Sequence, residues 1–510
     1  MRNLFFLITA CFVLFTANLG YSQKKLDGKT LEKWSWEKLP TAMAELDETL
    51  RIPNNALVSE DVTNTIAWTT KAFEKRGFTI SRLETAGPPL LLAERNVKKA
   101  KATVLFYLHL DGQPVDSSKW SQESPYIPVI KKQVDSKWQI VSDDELKAGY
   151  QDEWRIFARS SSDDTGPVVM YLTAIDLLDE HKIKPNYNIK MVMDLEEENS
   201  SPNLAGAVTK YAEELSADQL VIFDGPRHIS NQPTLSFGAR GISSITLTVF
   251  GPRVPLHSGH YGNYAPNPAM RLSQLLASMK DNDGRVVIEG FYDGINLNDE
   301  DRSEMGMVPD DESDIQRKIG IGDTDKVGNN YQESLQYPSL NVRGLGSGWI
   351  GDEARTIVPA TATAEIDIRL VPESDGPHLI ELVKQHVEAQ GYHIIAGREP
   401  TEEERKQYGK LIYFSSHYSY PAFRTPIESD LGNWLSKAMN TAFDKEPIKI
   451  RIMGGSIPIS PFIATLGTPA VIVPVVNPDN NQHSPNENLI IKNFREGIMA
   501  FTAILATPIK

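Results

Sequence analysis

Residues 102–111 read ATVLFYLHLD, a run of apolar and aromatic side chains that ends on His109 and Asp111. Such a run predicts a buried β-strand over residues 102–109. In an extended backbone His109 and Asp111 lie on the same side, so the carboxylate can orient the imidazole or share its target. The pair marks this strand end as a candidate metal site, with a hydrogen-bonded polar cap as the alternative.

Strands and helices alternate along the chain around this run. Residues 188–194 (NIKMVMD) and 220–223 predict two further buried strands, and residues 168–178 carry apolar side chains at helical spacing behind Gly166-Pro167. This alternation predicts an α/β fold whose mixed sheet has helices on both faces. In such sheets ligand groups collect outside the carboxyl ends of the strands.

The pattern changes near Gly238. There Ile245, Leu247 and Val249 alternate with serine and threonine, as in a strand with one wet face, and residues 362–370 repeat that pattern. We therefore expect an inserted α+β domain over residues 238–371, within a catalytic domain of residues 23–237 and 372–510. Helical patterns at residues 379–390 and 430–440 and an apolar strand at 469–474 predict the return of the first sheet. Residues 119–153 form a polar excursion whose purpose the sequence does not indicate.

Composition excludes several classes of protein. The 510 residues are 40% hydrophobic and 23% charged, which is typical of globular domains and excludes a disordered chain or a small stapled scaffold. No repeat of solenoid or propeller length is visible. The formal net charge of −15 predicts a surface that repels phosphate backbones, so we expect no nucleic-acid partner.

The amino-terminal residues 1–22 have the pattern of a secretory signal peptide. Arg2 precedes an apolar run over residues 4–15, which is too short to span a bilayer, so we expect cleavage near Ser22 and no transmembrane anchor. Lipidation at Cys11 is the alternative. The protein is thus expected to be secreted or periplasmic, and without Cys11, its only cysteine, thiolate catalysis and cysteine-ligated zinc are excluded.

Further acids and a histidine follow the other predicted strands. Each taken alone has a plain structural explanation, such as a helix N-cap for Asp163-Asp164 or a solvated charge run for residues 196–198. Taken in chain order they form a set of two imidazoles and several carboxylates at the ends of strands of one sheet. Such a set suits two zinc or similar divalent ions, with one carboxylate bridging them and a spare carboxylate acting as base. The set is His109, Asp163, Glu197, Glu198, Asp224 and His483.

The motifs that carry these residues resemble those of the carnosine dipeptidase branch of the aminoacylase and carboxypeptidase G family of di-metal hydrolases. The resemblance covers nearly the whole chain after the signal segment. In order, its motifs stand here as His109-Leu110-Asp111-Gly112-Gln113-Pro114, Ser162-Asp163-Asp164-Thr165-Gly166-Pro167, Glu197-Glu198-Asn199-Ser200-Ser201, Leu256-His257-Ser258-Gly259, Gly454-Gly455-Ser456-Ile457-Pro458 and His483-Ser484-Pro485-Asn486-Glu487.

The resemblance implies a role for each member of the set. Asp163 would bridge two divalent metal ions, with zinc as the first candidate and manganese or cobalt as alternatives. One ion would also be held by His109 and Asp224, and the other by Glu198 and His483. Glu197 would be the general base, Asp111 would orient His109, and the peptide bond after Asp163 would be cis.

The inserted domain contributes further residues by the same resemblance. His257 would reach into the partner subunit's active site of a homodimer and stabilise the oxyanion, with a structural loop histidine as the alternative. Thr356, Arg369 and Ser456 would bind substrate, and an arginine on the polar face of residues 362–370 could hold a carboxylate through two hydrogen bonds.

Three departures from the family pattern concern loop geometry or substrate preference. The usual Gly-Arg-Gly reads Ala158-Arg159-Ser160, the usual Lys reads Thr165, and the Gly after the glutamate pair reads Ser200. None removes a proposed ligand or the base. The function implied is a metallopeptidase that cleaves dipeptides or short peptides near a free carboxylate. The alternatives are an N-acyl-amino-acid amidohydrolase and, in another class, a non-catalytic binding protein.

Overall fold

The computed structural model describes residues 26–510, so the expected signal peptide and Cys11 lie outside the described residues. The strands are β1 (Thr79–Leu83), β2 (Leu90–Arg95), β3 (Thr103–His109), β4 (Val129–Val134), β5 (Lys137–Ile140), β6 (Arg155–Phe157), β7 (Asn188–Asp194), β8 (Gln219–Ile222), β9 (Thr234–Ser236), β10 (Gly238–Ala239), β11 (Gly241–Phe250), β12 (Leu256–His257), β13 (Ser339–Gly346), β14 (Ile357–Val358), β15 (Thr361–Leu370), β16 (His393–Ile394), β17 (Leu411–Tyr420), β18 (Phe423–Arg424), β19 (Ile448–Ile450), β20 (Ala470–Ile472) and β21 (Asn488–Ile490).

The α-helices cover both domains and join most of these strands. They are α1 (Gly28–Leu50), α2 (Ser59–Glu74), α3 (Asp143–Ala148), α4 (Thr165–Glu180), α5 (Leu204–Lys210), α6 (Ala212–Leu215), α7 (Ser258–Tyr261), α8 (Pro268–Ala277), α9 (Asp299–Gly306), α10 (Glu312–Ile319), α11 (Tyr331–Ser334), α12 (Gly376–Ala389), α13 (Glu402–Gln407), α14 (Asp430–Phe443), α15 (Ser460–Leu466) and α16 (Ile491–Ala506). In the described part of the chain, none is both long and apolar enough to cross a membrane.

The larger sheet has eight strands in the order β1-β2-β7-β3-β8-β20-β9-β19. Its centre is parallel, because β3 pairs in parallel with β7 and β8, and β8 with β20, while β1, β2 and β9 add antiparallel pairs. The carboxyl ends of β3, β7, β8 and β20 therefore meet at one edge. This is the mixed sheet that the alternation predicted.

Side chains of β3 alternate between two buried cores. Phe106 and Leu108 belong to the core beneath α1, α4, α14 and α16, and Leu105 and Tyr107 to the core beneath α5, α6 and α15. Helix α4 is buried on nearly every side, which explains why its sequence is apolar almost all round. Helices thus cover both faces of the sheet, as expected.

The second sheet has the order β13-β15-β11-β17-β16 and carries the inserted domain. One face is apolar: Ile245, Leu247 and Val249 pack under α8 and α12, while the other face is polar. The domain was expected to end at residue 371, but the sheet continues to Tyr420. The helix expected at residues 379–390 also packs here, through Leu379 and its neighbours, and not on the first sheet. The first sheet resumes only with β19 and β20.

The polar excursion at residues 119–153 has a defined structure. Its β4–β5 hairpin pairs with β6, and β6 pairs with β21, giving a small sheet in the order β21-β6-β4-β5. Strand β21 directly follows the loop that carries His483. The excursion therefore supports that loop from outside the main sheet, through contacts such as the hydrogen bond from the Ser121 amide to Asn486 Oδ1 at 2.8 Å.

Candidate metal centre and active site

The predicted ligands converge at the carboxyl edge of the main sheet. His109 ends β3, Glu198 follows β7, Asp224 follows β8, and His483 lies in the loop beyond β20. Because these strands are parallel neighbours, residues far apart in sequence meet at one place. The polar residues at the strand ends predicted this convergence from the sequence alone.

Asp163 lies between the two imidazoles. Its Oδ1 is 2.8 Å from His109 Nε2, and its Oδ2 is 3.1 Å from His483 Nε2. The same His483 nitrogen is 3.0 Å from Glu198 Oε2. A carboxylate that presents one oxygen to each of two imidazoles has the geometry that a bridging ligand needs.

Two groups of side chains have the spacing of metal ligands, with donor atoms within 4.8 Å of one another in each group. One group is Asp163, Glu198 and His483, and the other is His109, Asp164 and Asp224. Asp164 was given no ligand role from the sequence. Its position suggested an N-cap, yet its side chain makes no capping bond to α4 and instead accepts a hydrogen bond from the His109 amide at 3.2 Å.

The donor set fits divalent cations. Asp164 Oδ1 and Glu198 Oε1 are buried carboxylate oxygens that accept no hydrogen bond from residues 26–510. Buried oxygens of this kind are unfavourable unless a proton or cation approaches them. Two imidazoles with four carboxylates are also the nitrogen and oxygen donors that zinc, manganese and cobalt accept.

The charges of the cluster indicate the same need for cations. Burial raises the pKa of Asp224 to about 6, and burial raises the pKa of Asp164 and of Glu197 well above ordinary values. Neighbouring carboxylates add to each of these shifts, because like charges close together in a buried site destabilise one another. Hydrogen bonds to Asp163 and Glu198 raise the pKa of His483 to about 10.

Asp111 connects the first motif to the glutamate pair. Its Oδ1 and Oδ2 accept hydrogen bonds from the backbone amides of Glu197 and Glu198 at 3.0 and 3.1 Å. His109 Nδ1 lies 3.2 Å from the Asp111 carbonyl oxygen and 3.4 Å from Oδ1, which leaves Nε2 free to face the cluster. Asp111 therefore lies where it can orient His109, and it also holds the turn that carries Glu197.

Comparison with known proteins assigns the family. The sequence model of peptidase family M20/M25/M40 matches residues 105–507. The chain belongs to this family. The family and the predicted resemblance agree, and as a member the chain is an enzyme of the metallopeptidase class.

Individual relatives of the M20 family support the same fold. The Cys-Gly metallodipeptidase dug1 of Schizosaccharomyces pombe is 26% identical over 437 residues, covering 81% of each chain. The human Beta-Ala-His dipeptidase is 26% identical over 425 residues, covering 82% of this chain and 76% of the relative. The M20 family metallo-carboxypeptidase Sso-CP2 from Sulfolobus solfataricus superposes with a TM-score of 0.74 at 28% identity, covering 91% of this chain and 98% of that one. Human carnosine dipeptidase 1 superposes at 0.72 and 22% identity, covering 94% and 98%, a likeness of fold.

The inserted domain brings Arg369 and Ser456 together. Arg369 Nη1 donates to Ser456 Oγ at 2.7 Å, and the serine lies in the glycine-rich turn of the catalytic domain. On the polar face of the second sheet Arg369 pairs with Ile242, and Ile242 pairs with Tyr420 on its other side. Burial raises the pKa of Tyr420 to about 12, the charge of Glu197 adds to this shift, and that of Arg369 opposes it. The charge of Glu197 thus acts on Tyr420, at the end of β17.

His257 and Thr356 lie elsewhere on the chain. His257 ends β12 and Thr356 directly precedes β14, and these two strands pair with His257 opposite Ile357. The Ser258 amide donates to the Thr356 carbonyl at 3.0 Å. Both residues are exposed. The His257 ring accepts a hydrogen bond at Nδ1 from the Gly259 amide at 3.0 Å and packs beside the His260 ring. Within one described chain they do not join the metal ligands.

Two of the departures from the M20 family pattern occupy strained backbone positions. Ser160 has a φ of 62° and Ser200 a φ of 67°, in the left-handed region that favours glycine. Asn54 Nδ2 donates to Ser160 Oγ at 3.0 Å, a side-chain contact that glycine would lack. The loops thus keep the backbone shape that glycine allows. As the family resemblance implied, the peptide bond between Asp163 and Asp164 is cis.

Sequence reasoning missed the role of Glu487. The motif around His483 contains this glutamate, but a glutamate in a loop has no distinctive spacing that marks it. In the structure it is fully buried and lies among amides of the segment that carries Asp163. Burial raises its pKa, and the positive charge of Arg159 opposes that shift.

Proposed function

We propose that the chain is a di-metal dipeptidase that cleaves the amide bond of a dipeptide or short peptide near its free carboxylate. The observation that carries the proposal is Asp163, which faces both imidazoles between two groups of ligand side chains. Of the possible cations, zinc suits the nitrogen and carboxylate donors, and manganese and cobalt are alternatives.

The following residues are proposed to hold the two ions. His109 and Asp224 would hold one ion, Glu198 and His483 the other, and Asp163 would be shared. Asp164 belongs to the first group as an additional carboxylate, and its Oδ1 is buried without a hydrogen-bond donor among residues 26–510. When bound, two divalent cations would polarise the scissile carbonyl and lower the pKa of a water molecule.

Glu197 is proposed as the general base. Its carboxylate is half-buried beside the cluster, and its amide donates a hydrogen bond to Asp111 Oδ1 at 3.0 Å. A carboxylate in that place accepts the proton of the attacking water and passes it to the leaving nitrogen. Arg369 and Ser456 would hold the substrate carboxylate, because a guanidinium binds a carboxylate through two parallel hydrogen bonds.

Relatives named for dipeptides support the substrate class. The names of the fission yeast and human relatives specify Cys-Gly and Beta-Ala-His. An N-acyl-amino-acid hydrolase would need the same ligands and the same anchor for the carboxylate. The two differ in whether the site accepts a free amine or an acyl chain, which a substrate panel decides.

A homodimer would complete the site. His257 and Thr356 lie exposed at the paired strands β12 and β14, away from the ligands of their own chain. Exposure of two residues that match substrate-binding positions supports a site that borrows them from a partner subunit. There His257 would stabilise the developing oxyanion and Thr356 would contact substrate.

Secretion or transfer to the periplasm is proposed from the sequence of residues 1–22. The apolar run behind Arg2 supports export, and mass analysis of the mature amino terminus with cell fractionation tests it. A chain that retains Met1 in the cytoplasm would contradict this location without bearing on the chemistry.

The decisive experiment compares two adjacent glutamates. Glu197→Gln should keep both metal ions and lose most turnover, because the amide cannot accept a proton. Glu198→Gln should lose metal. The control is Glu196→Gln, because that carboxylate bonds to Asn203 and not to the cluster. Metal content is measured beside rates on dipeptides and N-acyl amino acids.

The outcomes of this comparison are distinct. Loss of metal in Glu197→Gln but not in Glu198→Gln would reverse the assignment of the two residues. Hydrolysis of N-acyl amino acids alone would favour the amidohydrolase. A wild-type chain that binds two ions but cleaves no amide on the panel would indicate a binding protein.

A further inference from the structure

Glu487 is a buried carboxylate surrounded by hydrogen-bond donors. Its Oε1 accepts from the Ser162 amide at 2.9 Å, from Ser162 Oγ at 2.9 Å and from the Asp163 amide at 3.1 Å. Its Oε2 accepts from Arg159 Nη1 at 2.7 Å and from the Ser160 amide at 2.9 Å. Its side chain is 0% exposed, so these five protein contacts are its whole environment of donors in the described chain.

All five partner groups donate a hydrogen bond to the Glu487 carboxylate. Only a carboxylate can accept at both sets of positions, because neither oxygen carries a proton; the three donors on Oε1 share its two lone pairs. A glutamine would turn its NH₂ group towards backbone amides or the Arg159 guanidinium. Two donors facing each other in a buried place lose the hydrogen bond and leave both groups unsatisfied.

Glu487 connects two parts of the proposed metal site. It stands four residues after His483 in the same loop, and it binds the amide of Asp163 itself. Asp163 Oδ2 lies 3.1 Å from His483 Nε2, and the two residues form one ligand group with Glu198. A shift of the segment at residues 160–163 relative to the His483 loop would therefore change the separation of these two ligands.

The fold of the loop has other anchors. Strand β21 pairs with β6, the Asn488 amide donates to the Asn480 carbonyl at 2.8 Å, and the Ser484 amide donates to the Asn481 carbonyl at 3.0 Å. These contacts keep the loop in place without Glu487. Its particular contribution is the register between the loop and the segment that carries Asp163.

We propose that Glu487 is a positioning residue that sets the separation of Asp163 and His483 and thereby the affinity of the metal group they form with Glu198. The inference rests on the proposed function, since it assumes that these side chains hold a metal ion. Glu487 itself touches neither substrate nor the ligand atoms of the site. The positioning role predicts that the binding affinities of the two metal ions depend unequally on Glu487.

The experiment measures metal affinity directly. Wild-type protein and Glu487→Gln are stripped of metal and titrated with Zn²⁺, with Co²⁺ as a second probe whose visible absorption reports ligand geometry. The first ion, held by His109 and Asp224, should lose less affinity in Glu487→Gln than the second, held by Glu198 and His483, because the shared Asp163 is the only one of its ligands that Glu487 positions. The second should bind about 10- to 100-fold more weakly, which is the usual effect of removing a partner that orients metal ligands. Glu487→Asp keeps the charge and should recover part of that loss.

A matched control separates positioning from general stability. Glu45→Gln likewise removes a carboxylate that is paired with an arginine, Arg76, in another part of the fold. It should lower the unfolding temperature while leaving both affinities unchanged. If Glu487→Gln does not fold, Ser162→Ala removes only the hydroxyl contact and should weaken the second ion about two- to tenfold.

Each outcome bears on a stated claim. Equal affinities in folded Glu487→Gln and wild type, or equal weakening of both ions, would overturn the positioning role alone. An unchanged second affinity in Ser162→Ala would do the same where Glu487→Gln is unfolded. A wild-type chain that binds fewer than two ions would overturn the proposed function and this inference with it.

Discussion

Replacing Asp111 by asparagine should reduce turnover by disturbing the turn that carries Glu197. The carboxylate of Asp111 accepts one backbone amide with each oxygen, from Glu197 at 3.0 Å and from Glu198 at 3.1 Å. Asparagine keeps one acceptor and places an NH₂ group against the other amide. One charged hydrogen bond is therefore lost and one buried amide is left without an acceptor.

The size of the effect follows from that single lost bond. A hydrogen bond to a charged group contributes about 1.5–3 kcal/mol. If this loss appears in the transition state, where Glu197 must be in place to accept a proton, it corresponds to a decrease in kcat of about 10- to 150-fold. KM should change little, because Asp111 is not one of the two side chains proposed to hold the substrate carboxylate, Arg369 and Ser456.

The assay measures kcat and KM of Asp111→Asn on a dipeptide that the wild type cleaves, beside metal content and circular dichroism. Asp152→Asn is a suitable control, because both oxygens of Asp152 bind Arg495 in another part of the fold. A folded, metal-loaded Asp111→Asn protein with kcat within twofold of wild type would refute the reasoning. A loss confined to KM would assign Asp111 to substrate binding.

Three further predictions concern substrate, subunits and metal. Arg369→Met should raise KM at least about tenfold with a smaller change in kcat, because the guanidinium would hold the substrate carboxylate already in the ground state. Steady-state kinetics on peptides with free and amidated carboxyl ends checks this. Mixing inactive His257→Ala and Glu197→Gln chains should restore activity, because one site of the heterodimer contains both intact residues, and heterodimers without activity would contradict a shared site. Chelation should lower the unfolding temperature, and Zn²⁺ at 100 times its Kd should restore about 2.7 kcal/mol per site.

The position of the site was predictable because strand ends leave a clear pattern. Apolar runs of four to eight residues indicate strands, and here polar groups follow such runs at once. These groups are His109 after β3, the acids after β7 and Asp224 after β8. Parallel strands of one sheet bring such ends together whatever lies between them. The fold class and the convergence of the ligands therefore follow from local sequence.

The end of the inserted domain was not predictable in the same way. The apolar side chains of α12, such as Leu379 and Val383, show that the helix has a buried face but not which sheet that face covers. Strand β17 reads LIYFSSHYSY, in which only the first part is apolar, so its place in the second sheet comes from pairing with β11. Pairing between distant strands is a tertiary fact that local periodicity does not carry.

Asp164 and Glu487 were missed for a different reason. An acid before a helix suggests an N-cap, and only the structure shows the Asp164 carboxylate turned to the His109 amide. Glu487 lies in a loop without periodicity, and its partners are backbone amides that no residue type identifies. Roles that depend on backbone donors are invisible in a single sequence, because every residue except proline has the same amide.

Asp111 and Glu487 solve one electrostatic problem in the same way. The site must bring several carboxylates together and still leave their oxygens open to cations. A lysine or arginine beside the ligands would hold these acids, but its charge would compete with the metal ions. Instead a buried carboxylate accepts the backbone amides of each acid-bearing segment, at Glu197 and Glu198 for Asp111 and at Asp163 for Glu487. Arg159 donates to Glu487 Oε2 and so balances its charge, and Glu198 Oε1 has no donor among the described residues. The supporting acids thus fix the segments without neutralising the ligands, and the uncompensated negative charge that remains is what would favour binding of two divalent ions.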